Sequence, residues 1–211
     1  MLARKKVKHL YLGIESGLDD VLKFMKKDHD LAQAYQAIDR LHGAGLIYDA
    51  HIMTGVAGKG RGMENAEALA QFLNRTNPAH VVNFSMFLHK EVPLYQDIRQ
   101  GTFVPADELE TIREEYHLIE RIAPEKAGAN ILYDGFHDFI HVRVRGHLPG
   151  DKEKMLAKLN GIIQEYEGKE PVYSFVQGEC PDLEYCDDGK AVWDMDLSLI
   201  HISEPTRLDV I

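Results

Sequence analysis

Cysteine is almost missing from this sequence: Cys180 and Cys186 are the 2 thiols in 211 residues. That is too few for a disulfide scaffold, and the spacing of the pair fits no common zinc pattern. Long apolar runs are missing as well. Nothing approaches the roughly 20 consecutive apolar residues of a membrane helix. The basic opening, residues 1–6, leads into a short strand-like run rather than the apolar core of a secretory leader. The cytoplasm is therefore the expected setting, with no membrane as a partner. Positive charge is in deficit, 24 Lys and Arg against 34 Asp and Glu, which leaves a formal net charge of −10. That balance argues against a nucleic-acid backbone as the main partner. What is present, 45% hydrophobic residues with both charges well mixed among them, is enough for a packed core and excludes wholesale disorder.

Strand-like apolar runs begin near His9, Leu46 and His80, 37 and 34 residues apart. An eight-unit barrel of ~250 residues allots roughly 31 residues to each strand and helix, so the spacing fits consecutive units of a parallel α/β sheet. The first run, Leu10 to Ile14, stops at Glu15, Ser16 and Gly17, and a helical pattern follows over residues 19–27. A second helix starts near Asp30, with Leu31, Tyr35, Ile38 and Leu41 on one face, and stops at Gly43-Ala44-Gly45. Met63, Ala66, Leu69, Ala70 and Leu73 give a third, ended near Asn77-Pro78. The third strand, residues 81–88, leads through Val92-Pro93 to a helix with Leu109, Ile112, Tyr116, Ile119 and Ile122 in register. The many Glu and Arg residues of that helix read as its solvated face. Beyond Ala123-Pro124, residues 130–144 are strand-rich and residues 151–166 form another amphipathic helix. The expected division is 1–123 for the strand-helix units, 124–196 for a small α+β extension, and 197–211 for a non-native tail. Residues 197–207 read as the in-frame translation of a sequencing-library adapter, so the fold is argued without the tail.

In parallel α/β sheets, ligands are met at the carboxyl ends of the strands. Taken alone, Glu15 and Ser16 are best explained as caps of the following helix, and Lys27 equally well as a cation at a helix end. The segment Leu12-Gly13-Ile14-Glu15-Ser16-Gly17, followed by Val21-Leu22 and Met25-Lys26-Lys27, resembles the fourth-strand segment of radical S-adenosylmethionine (SAM) enzymes. Among these it is most similar to the branch with HemN-like, Elongator-like and methylthiotransferase-like barrels. The likeness runs over roughly residues 8–165 and covers the second half of that family's domain. It implies the C-terminal half of a (β/α)6 partial TIM barrel followed by a small α+β extension.

The resemblance also implies roles. Glu15 matches the position that contacts the ribose, with Ser16 as its neighbour. Lys27 matches the cation for the methionyl carboxylate, and His51 a residue contacting SAM hydroxyls. Gly55, Val56 and Ala57 match the turn that packs on adenine, which in relatives commonly reads Gly-Leu-Pro-Gly-Glu; here Ala57 replaces the proline and Lys59 the acid. Asn83 and Ser85 point into the barrel mouth or are half-buried polar residues of the last strand. His137, His141 and His147 match no standard metal site, and no metal ligand is assigned. The Cys-x3-Cys-x2-Cys motif that holds the family's [4Fe–4S] cluster is absent, and the resemblance places it upstream. The parent enzyme would cleave SAM reductively to a 5′-deoxyadenosyl radical, drawing its electron from a reductant such as flavodoxin or ferredoxin. Its substrate is not legible, and the chain alone would be inactive. Two other classes stay open: a cluster-independent TIM-barrel-like enzyme, and a non-catalytic α/β interaction module.

Overall fold

Alternation along the strands decides which way the sheet faces. Tyr48, Ala50 and Ile52 project from one side of the second strand and are almost wholly buried, as are Val81 on the third and Ile131 and Tyr133 further on. These side chains meet apolar stripes from four helices, including Ile38, Leu69, Leu73, Ile112 and Leu159, in one continuous core.

The computed structural model describes residues 7–89 and 91–176. Cys180, Cys186 and the tail from residue 197 lie outside them. The elements in order are β1 (His9–Glu15), α1 (Asp19–Phe24), α2 (Leu31–Gly43), β2 (Ile47–Thr54), α3 (Gly62–Thr76), β3 (His80–Ser85), β4 (Leu88–His89), α4 (Pro93–Gln100), α5 (Glu108–Arg121), β5 (Ile131–His137), β6 (Val142–Leu148), α6 (Lys152–Tyr166) and β7 (Phe175–Val176). A five-stranded sheet has the order β1-β2-β3-β5-β6, and β4 pairs with β7 in a separate two-stranded ribbon. The first four strands of the large sheet run parallel. β6 returns antiparallel beside β5. The residue-123 boundary expected from the sequence falls between α5 and β5, and the sheet continues across it. No helix among the described residues is long and apolar enough to cross a membrane.

Local chemistry sets the helix limits. Asp30 and Gln33 form a reciprocal capping box at the start of α2. Asp107 accepts the Glu110 N–H at 2.9 Å at the start of α5. α3 ends on left-handed Asn77, directly before Pro78. α4, which no apolar stripe in the sequence marks, has Pro93 at its start and left-handed Gly101 at its end. The third strand is shorter than the apolar run 81–88 suggests: β3 stops at Ser85, and Leu88 belongs to β4.

The larger correction concerns α5, whose charged residues are not simply a solvated face. Glu108, Glu114 and Glu115 are at most 1% exposed.

Candidate functional site

β1 ends irregularly. Its register against β2 slips between Gly13 and Glu15, so Gly13 pairs with His51 and Glu15 with Ile52. Glu15 itself has φ +60°, the left-handed region that a non-glycine residue rarely occupies. The turn brings its carboxylate back over Gly13, where a Cβ would lie 2.7 Å from Glu15 Oε1. α1 is only six residues long, and the chain reverses after it through left-handed Lys26. That reversal returns Lys27 to the strand end, where Nζ donates to Glu15 Oε1 at 2.7 Å. Both partners remain partly exposed.

His51 stands on the sheet face opposite the helix layer, between Tyr11 and Phe84, with ring centroids 5.1 and 6.1 Å away. Burial lowers its pKa, with the Glu15 charge opposing, so the imidazole is neutral at pH 7. Glu15, Lys27 and His51 therefore share one corner of the rim.

The other residues named from the sequence lie differently. Ser16 is fully buried. Its hydroxyl donates to Asn65 Oδ1 at 2.6 Å and accepts the Leu18 N–H at 3.1 Å, so it ties the turn to α3. Gly55 has φ +81°, as the turn after β2 requires. Val56 and Ala57 are buried in a second apolar cluster with Val21, Met86 and Phe103. Lys59 N–H donates to Val104 at 2.8 Å and pins the segment after α4 over this turn. A cleft of about 420 Å³ opens there, walled by Val21, Phe24, Val56 and Phe103 and edged by Lys59 and Arg61. Arg61 is held by Asp20 at 2.7 Å and Glu64 at 2.9 Å.

Asn83 and Ser85 do not enter the mouth of a barrel. They are buried on the helix side, where Asn83 Nδ2 donates to Glu115 at 3.0 Å and Ser85 Oγ donates to Glu108 at 3.3 Å. His137 joins them. Its Nδ1 lies 3.1 Å from Glu108 and its Nε2 3.0 Å from Glu115. Tyr133 adds a hydrogen bond to Glu115 at 2.9 Å. Burial works to lower the His137 pKa, but the charge of Glu115 and the bonds to both carboxylates push it up to about 10. His137 is therefore an imidazolium donating from both ring nitrogens. His141 and His147 are exposed. Among the described residues, no group of three or more His, Cys, Asp or Glu side chains is arranged to hold a metal ion.

The sequence reading missed this buried network. Its signal was the stripe 108, 112, 115, 119, 122, whose spacing of 4, 3, 4 and 3 puts Glu108 and Glu115 on the same helix face as Ile112, Ile119 and Ile122. Leu109 and Tyr116, which the reading used instead, are only partly buried.

No protein-family model matches the chain, and no curated protein matches it. Among solved structures it is similar to the archaeal Methanocaldococcus infernus Elp3 with an N-terminal deletion of residues 1–46. The TM-score is 0.54 at 16% identity over 78% of this chain. The chain spans 37% of the length of that protein. At this identity the likeness shows the fold, which is a mixed α/β sheet resembling part of Elp3.

Proposed function

We propose that the chain is the C-terminal part of a radical SAM enzyme and that the corner formed by Glu15, Lys27 and His51 binds SAM. The observation that carries the reading is the Glu15–Lys27 pair on an irregular strand end. Rare backbone conformations persist where the surrounding structure enforces them, and they cluster at ligand sites. This one stands at the carboxyl rim of a parallel sheet, where such folds meet their ligands.

The three groups fit the ligand chemically. An ammonium suits the methionyl carboxylate, a carboxylate suits a pair of ribose hydroxyls, and a neutral imidazole can donate to or accept from a hydroxyl. A partly exposed ion pair contributes only ~0.2–1 kcal/mol, so opening the Glu15–Lys27 contact to admit a ligand costs little. The polar faces of SAM would engage this corner, and bound SAM supplies the reacting sulfonium and adenosyl group. Gly55, Val56 and Ala57 form the next turn along the rim and would lie on the adenine side. The described residues contain no set of thiolates for a [4Fe–4S] cluster, so no chemical step is assigned to them. Their part is to grip and orient SAM. The likeness to Elp3 in fold agrees with the Elongator-like branch named by the sequence resemblance. The parent enzyme's substrate is left unassigned.

Isothermal titration of the whole chain with SAM tests the reading. Saturable one-site binding that weakens on Lys27→Ala and on Glu15→Ala is expected. Unchanged affinity in both variants, or no binding up to millimolar SAM, would remove it.

A further inference from the structure

Carboxyl groups of α5 hold the carboxyl-terminal ends of β2, β3 and β5 directly, and that of β1 through Asn65 on α3. Glu114 on α5 accepts the Gly55 N–H at 2.8 Å through Oε2 and Asn65 Nδ2 at 2.7 Å through Oε1. Asn65 in turn accepts the Ser16 hydroxyl at 2.6 Å and the Gly17 N–H at 3.1 Å. Ser16 and Gly17 directly follow Glu15. One carboxyl group thus links the turn after β2 to the turn after β1. Its neighbours Glu108 and Glu115 hold the ends of β3 and β5 through Ser85, Asn83 and His137.

We propose that Glu114 is a positioning residue for the rim, fixing the turn that follows Glu15 against the Gly55 turn so that a ligand spanning both meets a set spacing. The ligand part rests on the SAM reading above; the linkage of the two turns does not.

The packing is built around this carboxyl. A Cβ on Gly62, at the start of α3, would lie 2.9 Å from Glu114 Oε2, and a Cβ on Gly55 would lie 2.7 Å from Thr111 on the preceding turn of α5. A buried ionisable group is seldom the most stable filling for such a space, since well-packed apolar residues often do as well or better. Its use here goes with the two donors it alone can join. Burial pushes its pKa up to about 8, against the hydrogen bonds from Asn65 and Gly55. Glu110 on the same helix adds to the rise, and His137 on β5 opposes it. The ionised carboxylate can accept both donors at full strength, whereas protonation converts one oxygen into a hydroxyl that competes with them. The linkage is therefore tightest when Glu114 is ionised.

The test uses the whole chain labelled with ¹⁵N, with the Gly55 and Gly17 amides followed through the titration of Glu114. In the unsubstituted chain both resonances should move together with a midpoint near pH 8. In Glu114→Gln neither should titrate there. In Asn65→Ala the Gly55 amide should titrate while the Gly17 amide does not. Amides that titrate alike in Glu114→Gln, or a Gly17 amide that still follows after Asn65→Ala, would overturn the proposal. SAM affinity measured in parallel should be about two- to thirtyfold weaker in Glu114→Gln above the titration, the range of coupling through packed side chains. The gap should narrow below it. Identical pH profiles of affinity in the two proteins would overturn the positioning role. Co-titrating amides without any SAM binding would uphold the linkage of the turns and remove only the SAM reading.

Discussion

Glu15 and Lys27 are 12 residues apart in the chain and 2.7 Å apart at the rim, joined across the six-residue helix α1 and its left-handed exit. The pair is internally neutral and partly open to solvent. A ligand carrying both an anionic and a hydroxyl-rich part would exchange one contact for two. Lys27→Ala should weaken SAM binding by ~1.5–3 kcal/mol, the worth of a hydrogen bond to a charged group. The double variant Glu15→Ala, Lys27→Ala should lose less than the sum of the singles, because each single leaves its partner uncompensated. Calorimetry on the four proteins of the cycle decides it. Strict additivity would show that the pair does not act as a unit.

Stability should fall as pH rises through neutrality. An unfolded glutamate ionises near its ordinary value of 4.5, while Glu114 holds its proton to about 8. The folded chain thus binds more protons than the unfolded one, and the contribution is full below about 4.5 and lost as pH climbs to about 8. His137 acts in the same direction, from its ordinary 6.5 up to about 10. Urea unfolding between pH 5 and 8 should show a negative slope of up to ~1.4 kcal/mol per pH unit from Glu114. Glu114→Gln should remove that part and leave the His137 slope at higher pH. An unchanged slope in the variant would contradict the assignment.

Gly135 is a space reserved for Glu115. A Cβ there would lie 1.8 Å from Glu115 Oε1, with the Tyr133 ring a further obstacle at 3.1 Å. Gly135→Ala should therefore destabilise the chain by ~1–3 kcal/mol through overpacking. Combined with Glu115→Ala, much of that penalty should disappear, because the atom it meets has gone. Equilibrium unfolding of the two singles and the double measures the coupling, and additive losses would show that the strand absorbs the extra methyl elsewhere.

The chain by itself should hold no stoichiometric [4Fe–4S] cluster, because its 2 cysteines cannot supply the three thiolates of the family motif. Anaerobic reconstitution followed by iron and sulfide analysis checks this. A stoichiometric cluster that depends on Cys180 and Cys186 would overturn the expectation.

Much of the architecture was legible because β1, β2 and β3 are apolar runs at regular intervals and their helices keep a 3.6-residue stripe. Turn chemistry placed Asp30, Gly45 and Asn77 correctly. The resemblance assigned Glu15 and Lys27 to different parts of one ligand, but their direct contact was not legible, since no periodicity says that the chain doubles back at Lys26. α4 escaped because eight residues with four polar ones give too short a stripe. The buried face of α5 escaped for a different reason. Glutamate on an amphipathic helix is nearly always solvated, and only its partners, spread over β3 and β5 up to 32 residues away, make the exception. The position of Ser16 was read correctly as the end of a strand, but its orientation depends on Asn65, 49 residues later.

α5 carries its counter-charge on a strand that follows it in the chain. Its carboxylates at positions 108 and 115 are matched by His137 on β5, so the helix leaves the ribosome before its cation does. Until β5 has paired with β3, seating α5 on the sheet would bury two carboxylates without their imidazolium, at a penalty of several kcal/mol. The first three strands and their helices therefore cannot complete their layer as each unit is synthesised. Docking of α5 waits for β5, and the two should form in a single cooperative event late in folding.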